Sequence, residues 1–361
     1  MSILNQNSLD FLEQYLKCIS PTGHEMAGQK KWLDYIKPYV HETKIDHYGT
    51  AYAVINPGKK YRVVIEAHAD EIGWMVSYID DNGFIYVIKN GGSDHLIAPA
   101  KRVNIQTKYG IVRGVFGWPA IHTRRSKEEK ITPTEENLFI DIGAKDKKEV
   151  EEMGIHVGCT VTFDDEFEIL NDKYFVGRAL DNRLGGFCIA ETARLIHEKN
   201  IDLPFSLYVV NSVQEEIGLR GAQMIVQTIK PNVALITDVT HDTKTPLVNA
   251  KKYGEISCGN GPSLTYAPAV HNLLLDLVVD AAEKANIPFQ RDAASRGTGT
   301  DTDAFAYSLG GVPSALISIP LRYMHTTVEM AAKTDVENVI QLFIESLQKI
   351  EENHDWDYFK I

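Results

Sequence analysis

Two hydrophobic periods alternate along this chain. In SLDFLEQYLKC, Leu9, Phe11, Leu12, Tyr15 and Leu16 gather on one helical face behind Ser8, which predicts a helix over 8–18 with a serine cap. Pro21 and Gly23 in SPTGHE break that pattern, and a second helix is predicted over 25–39. YRVVIEAHAD is a nearly continuous apolar run rich in β-branched residues, the pattern of a strand buried on both faces of a mainly parallel sheet. It delivers His68 to the carboxyl end of that strand.

From about 72 to 165 the pattern shortens to strands punctuated by glycine: GWMVSYI, GFIYVI, KRVNIQT, GIVRGVFG, NLFIDIGA and CTVTF, with one short helix near 145–153. A small β-rich module therefore interrupts an α/β unit that resumes near 166. Beyond it, LDNRLGGFCIAETARLIHEKN reads as a helix, FSLYVVNSVQ as a strand, 219–229 as a helix and VALITDV as a strand. A helix near 270–286, the strand SALISIP and a helix over about 334–351 follow. Such alternation predicts an α/β fold of three layers, a doubly wound sheet with helices on both faces. The expected division is 1–70 with 166–361 for the α/β unit and 71–165 for the insert.

Composition agrees with that division, since 361 residues, 44% hydrophobic and 24% charged, suffice for two globular domains. A formal charge of −12 disfavours nucleic acid, whose binding rests on a basic surface. The one basic cluster, Arg124, Arg125, Lys127 and Lys130, is diluted by Glu128 and Glu129 and reads as solvated loop. No apolar run approaches the roughly 18–20 residues of a membrane-spanning helix. Cys18, Cys159, Cys188 and Cys258 form no CxxC pair and no cleavable leader pattern is visible, so a reduced, cytoplasmic protein is expected.

Against this frame one set of residues carries chemistry. His68 and Asp70 in AHADEIG, Asp181 in GRALDNR, Glu215-Glu216 in NSVQEEIG, Asp238 in LITDVT and His325 in LRYMHTTVE all follow or end apolar runs, where open α/β sheets bind ligands. Singly, each has a bland explanation: a hydrogen-bonded histidine, a helix cap at Asp181, a turn at Asp238. In HxD, however, the carboxylate can accept from the second imidazole nitrogen and fix the ring, as in metal sites. Adjacent Glu215 and Glu216 would repel each other at a sheet end without a cation, and two neighbours point in different directions, so one can bind metal while the other faces water. Jointly the set fits a two-metal hydrolase with Asp181 shared, in which a water between cations about 3.5–4 Å apart attacks a polarised carbonyl. Nitrogen and oxygen ligands without thiolate suit Zn, Co or Mn.

AHADEIG, VGRALDNRLGG, QEEIGLRGA, LITDVT and MHTTVEM, in this order over nearly the whole chain, resemble the M42 metallo-aminopeptidases, the glutamyl or deblocking enzymes that form tetrahedral TET particles. The resemblance implies that His68 and Asp238 hold one metal, Glu216 and His325 the other, that Asp181 bridges, that Glu215 is the general base, and that Asp70 orients His68. It also implies a zinc-peptidase-like catalytic unit, a PDZ-like dimerisation module in the insert, and a homo-oligomer built from dimers, up to a tetrahedral dodecamer. Its substrates would be short peptides with a free amino terminus. Where similar proteins carry a run like GTDAGA, this chain reads Gly299-Thr300-Asp301-Thr302-Asp303-Ala304-Phe305, and the extra acid and bulk are expected to alter the pocket for the substrate's first side chain.

Three other readings stay open. An N-acyl amino acid deacylase or carboxypeptidase-like amidohydrolase uses a similar site. An endoglucanase needs two carboxylates about 5–9.5 Å apart and no metal. A non-catalytic assembly subunit would keep the fold, yet here all five ligands and Glu215 are retained.

Overall fold

A computed structural model describes residues 3–124 and 131–359. Of the basic cluster, Arg125, Lys127 and Lys130, with Glu128 and Glu129, lie outside the described residues. Seventeen strands and nine α-helices are described. In the first third they are α1 (Gln6–Lys17), α2 (Met26–Ile36), β1 (Glu42–Ile45), β2 (Ala51–Ile55) and β3 (Arg62–His68). There follow β4 (Gly73–Ile79), β5 (Ile85–Asn90), β6 (Arg102–Thr107), β7 (Gly110–Phe116), β8 (Phe139–Asp141), α3 (Lys147–Glu152) and β9 (Thr160–Phe163). Next come β10 (Glu168–Leu170), β11 (Tyr174–Gly177), α4 (Leu180–Glu198), β12 (Ser206–Ser212), α5 (Arg220–Ile229) and β13 (Val233–His241). The chain continues with α6 (Ala250–Tyr253), β14 (Ser263–Tyr266), α7 (Asn272–Ala285), β15 (Gln290–Ala293), α8 (Asp301–Ala306), β16 (Ser314–Arg322), β17 (Glu329–Ala332) and α9 (Lys333–Leu347).

Eleven strands form one mixed sheet in the order β1-β2-β12-β3-β13-β16-β17-β11-β10, with β14 and β15 branching from β16. Parallel pairing runs through its centre, β12-β3-β13-β16, where every strand is a buried apolar run, and recurs only in the side branch β14-β15. The flanking strands pair antiparallel, so the sheet is less parallel than expected. The polar β1 and β15 have no continuous apolar face, and their pairing is set by neighbours rather than by their own pattern. Helix α4 is buried from Leu180 to Ile196 and packs on β3, β12 and β13, with α1, α2 and α9 also against it.

Two local expectations are corrected. Helix α1 begins at Gln6, because Asn5 rather than Ser8 is the cap; its side chain accepts from Ser8 N at 2.9 Å. Ser8 is buried inside the helix and donates to Glu191 Oε2 at 2.8 Å. Helix α2 ends at Ile36 rather than 39, where Pro38 leaves only a short 3₁₀ turn over Lys37–Tyr39.

The β-rich segment closes on itself as a six-stranded barrel, β4-β5-β8-β7-β6-β9. Trp74 centres its core, edge-on to Phe116 and Phe163 with ring centroids 5.1 and 4.5 Å away. This core is separate from the one under the large sheet. Where the chain leaves the sheet for the barrel and returns, buried Glu71 receives Arg178 and, at 2.7 Å, Arg183. Arg183 also donates to the Tyr15 carbonyl at 2.9 Å, so the buried charges are paired and hydrogen-bonded, as burial requires.

Candidate metal centre

The four parallel strands end at one edge of the sheet. There β3 presents His68, the turn after β12 presents Glu215 and Glu216, β13 presents Asp238, and the turn after β16 presents His325. Asp181 enters at the start of α4, where its backbone and that of Asn182 are not yet helical and the bond between them is cis. Its carboxylate makes no cap bond; Asn182 instead accepts from Gly185 N at 3.0 Å. All the sequence-predicted ligands therefore meet.

Asp181 gives one oxygen to each imidazole. Its Oδ1 lies 3.2 Å from His68 Nε2, and its Oδ2 lies 3.2 Å from His325 Nε2. Asp238 Oδ1 is 3.7 Å from His68 Nε2, and Glu216 Oε1 is 3.5 Å from His325 Nε2. Asp181 joins two trios, His68/Asp181/Asp238 and Asp181/Glu216/His325, and His68, Glu215 and Glu216 form a third, each with ligand atoms within 4.8 Å of one another. Glu215 stands beside them, its Oε2 3.8 Å from His68 Nε2.

Crowding sets the protonation of this cluster. Burial pushes Glu215 up to about 10, helped by Asp238 and opposed by His68. Burial and the Asp181 charge push Glu216 up to about 7. Burial also raises Asp238. Burial opposes charging of both imidazoles, but Glu215 and the other carboxylates hold His68 well above its ordinary value, and Asp181 with Glu216 pushes His325 up to about 11. Burial works against ionised Asp181 too, yet the two imidazoles hold it below the carboxylate range. The carboxylates of this site face one another, which favours protons or cations between them, and among the described residues Glu216 Oε1 has no hydrogen-bond partner. These thiolate-free nitrogen and oxygen donors are of the kind that hold divalent cations.

Asp70 does more than face His68. Its Oδ1 is 3.4 Å from His68 Nδ1, while the carboxylate accepts from Glu215 N at 3.0 Å, Glu216 N at 3.2 Å and Thr22 Oγ1 at 2.8 Å. The adjacent glutamates therefore sit in a turn rather than on extended chain, and Asp70 holds that turn.

Several residues around the cluster were not legible from the chain. Glu329 accepts from His325 N at 2.7 Å and from Asp181 N at 3.1 Å. Gly92, from the barrel, packs against the His325 ring so closely that a Cβ would lie 2.6 Å from Nδ1. Beneath the site, burial and the neighbouring Asp301 charge raise Glu66 well above its ordinary value, and burial pushes Asp301 up to about 6. The glycines of NGG were the one visible signal among them.

A cavity of about 270 Å³ opens over the cluster, its free wall including Thr240, His241, Thr298, Thr300 and Met324. The expected extra acid and bulk of 299–305 do not line it. Asp301 turns inward to accept from Ser212 Oγ at 2.6 Å, Asp303 accepts from Thr298 N at 3.0 Å, and Phe305 is buried in the main core.

A family model described as M42 glutamyl aminopeptidase matches residues 49–342. The lysyl aminopeptidase of Pyrococcus furiosus is 33% identical over 335 residues, covering 92% of this chain and 94% of the relative. The crystal structure of a TET aminopeptidase from a marine sediment thaumarchaeon superposes with a TM-score of 0.90 at 30% identity, covering 95% of this chain and 96% of that one. Pyrococcus horikoshii TET1 peptidase, which assembles into a tetrahedron or a large octahedral shell, superposes with a TM-score of 0.83 at 27% identity, covering 94% and 98%.

Proposed function

The chain belongs to the M42 glutamyl aminopeptidase family, and from that membership we propose that it removes the N-terminal residue of short peptides at a two-cation centre, with Glu215 as general base. It is a hydrolase of aminopeptidase type. The observation that carries the finer reading is the Asp181 carboxylate, one oxygen toward each imidazole at 3.2 Å, with Glu215 beside His68 at 3.8 Å.

His68 and Asp238 would hold one cation, Glu216 and His325 the other, and Asp181 both. Bound there, Zn, Co or Mn ions supply Lewis acidity, which polarises the scissile carbonyl and brings the attacking water's pKa toward neutrality. Glu215 takes that water's proton on its carboxylate and returns it to the leaving amine. In the metal-free site burial leaves Glu215 protonated, and bound cations would have to lower its proton affinity toward neutrality before it could accept a proton and release it again. Asp70 keeps Glu215 and Glu216 aimed by holding their backbone amides, and it faces the outer nitrogen of His68. The free wall of the cavity receives the first side chain; among the described residues on that wall none is Lys, Arg, Asp or Glu.

By analogy with the TET structures, the chain assembles as a homo-oligomer, with residues 71–165 as the dimerisation module and 1–70 with 166–361 as the catalytic unit. Among the described residues no helix is long and apolar enough to cross a membrane, and all four cysteines are free, in keeping with a reducing cytoplasm.

A panel of free-amine aminoacyl amides, assayed with metal-replete and chelated enzyme and with an N-blocked peptide alongside, tests this reading. Chelator-sensitive release restricted to free amines is expected, with neutral first residues preferred. Release from the blocked peptide alone would make the protein a deacylase, and chelator-resistant release would remove the cations from the mechanism.

A further inference from the structure

His325 is the less secured of the two imidazoles. His68 ends a central strand and its side chain is 2% exposed, whereas His325 stands on a turn beyond β16 and is 32% exposed. Tyr323 and His325 on that turn both have positive φ, 59° and 62°, a conformation that side chains larger than glycine adopt rarely. Such a turn keeps its shape only where its surroundings hold it.

Glu329 supplies that hold. It opens β17 opposite Gly177 of β11, and so lies between the turn and the approach to Asp181. One carboxylate oxygen, Oε1, accepts the His325 amide at 2.7 Å, and the other, Oε2, accepts the Asp181 amide at 3.1 Å. Glu329 is 2% exposed, and among the described residues no lysine or arginine pairs with it. A buried carboxylate is retained at a cost unless its partners and nearby cations compensate it. Here its partners are the backbone amides of two residues from one trio.

We propose that Glu329 is a positioning residue for the cation held by Glu216 and His325, locking the backbone of His325 against that of Asp181. This rests on the two-cation reading of the site. A carboxylate is required because two separate oxygens accept two separate amides; glutamine offers one carbonyl oxygen and would turn its NH₂ toward the other amide. The cation between His68 and Asp238 depends on Glu329 less, since His68 is fixed by β3.

Zn²⁺ is titrated calorimetrically into chelated wild type, Glu329→Gln and Glu329→Ala, with thermal unfolding of each metal-free protein. Wild type is expected to take two ions per chain. Glu329→Ala should bind one ion about 10–100-fold more weakly, the range of lost support behind a metal ligand, and the other with a clearly smaller loss, since Asp181 is shared by both. Glu329→Gln should fall between, and it decides the matter if the alanine variant does not fold. Wild-type affinity for both ions in a folded variant overturns the proposal. Equal weakening of both ions, tracking a fall in metal-free Tm, also overturns it, because Glu329 would then only hold β17 in place. Fewer than two ions in wild type would instead overturn the two-cation reading and the role of Glu329 with it.

Discussion

Asp70 accepts the backbone N–H of Glu215 at 3.0 Å, so the residue two places after His68 also anchors the turn that carries the proposed base. One carboxylate thereby couples the end of β3 to the turn beyond β12. Asp70→Ala should lower kcat/KM about 10–100-fold, because a second-layer partner of a metal-ligating histidine is lost together with the amide contacts. Asp70→Asn should lose less. Steady-state kinetics with metal content measured on the same samples checks this, and an unchanged rate in Asp70→Ala would remove the anchoring role.

Glu215→Gln keeps the shape of the side chain but cannot carry the proton. Turnover is expected to fall about 10²–10⁴-fold, the range of a missing general base, while two metals per chain remain bound. A near-normal rate would transfer the role to another group.

Gly92 has to be glycine for a spatial reason. A Cβ there would stand 2.6 Å from His325 Nδ1 and 2.7 Å from Cε1, so Gly92→Ala must displace the ring. A shift of about 1 Å at a reacting centre costs about 10²-fold in rate, and the loss should appear in activity and in affinity for the second ion. A fully active variant would show that the barrel does not constrain the site.

Metal removal and pH are linked with a definite sign. In the metal-free protein burial lifts Glu216 to about 7 and Glu215 to about 10, both from an ordinary 4.5, so the folded state keeps protons that the unfolded chain has released. Stability from these groups is fully present below about pH 4.5 and is lost as pH rises through about 7 and then about 10. Added Zn²⁺ replaces those protons. The gain in Tm should therefore be larger near pH 8 than near pH 5, and calorimetry in buffers of different ionisation heat should record proton release. A pH-independent gain would contradict this account of the cluster.

The meeting of the candidate ligands was readable because each follows or ends a buried apolar run, and the sheet carries such ends to one edge. The barrel was readable for a similar reason, its strands being short, apolar and divided by glycine. Glu329, Thr22 and the Glu66–Asp301 pair were not, since Asp181, Asp70 and Asp301, which give them their roles, lie far from Glu329, Thr22 and Glu66 in sequence. The start of α1 failed differently: Asn5 and Ser8 both have capping side chains, and the choice was made by Glu191, which draws Ser8 into the interior. At 299–305 composition did not show placement: Asp301 and Phe305 point into the interior, while Asp303 reaches the cavity only through Thr298, which it holds.

The strand order also dictates a timetable. β12 lies between β2 and β3, and β16 completes the parallel centre, so neighbours in the sheet are made far apart in the chain, as Val63 of β3 is beside Val233 of β13. On the ribosome β3 must wait for residues 206–212, and neither trio joined by Asp181 is complete early: one awaits Asp238 and the other His325. The barrel, whose six strands are consecutive and whose core is its own, can close long before. A cation bridged by Asp181 to both imidazoles would thus have to wait for His325, after the module proposed to pair subunits has formed.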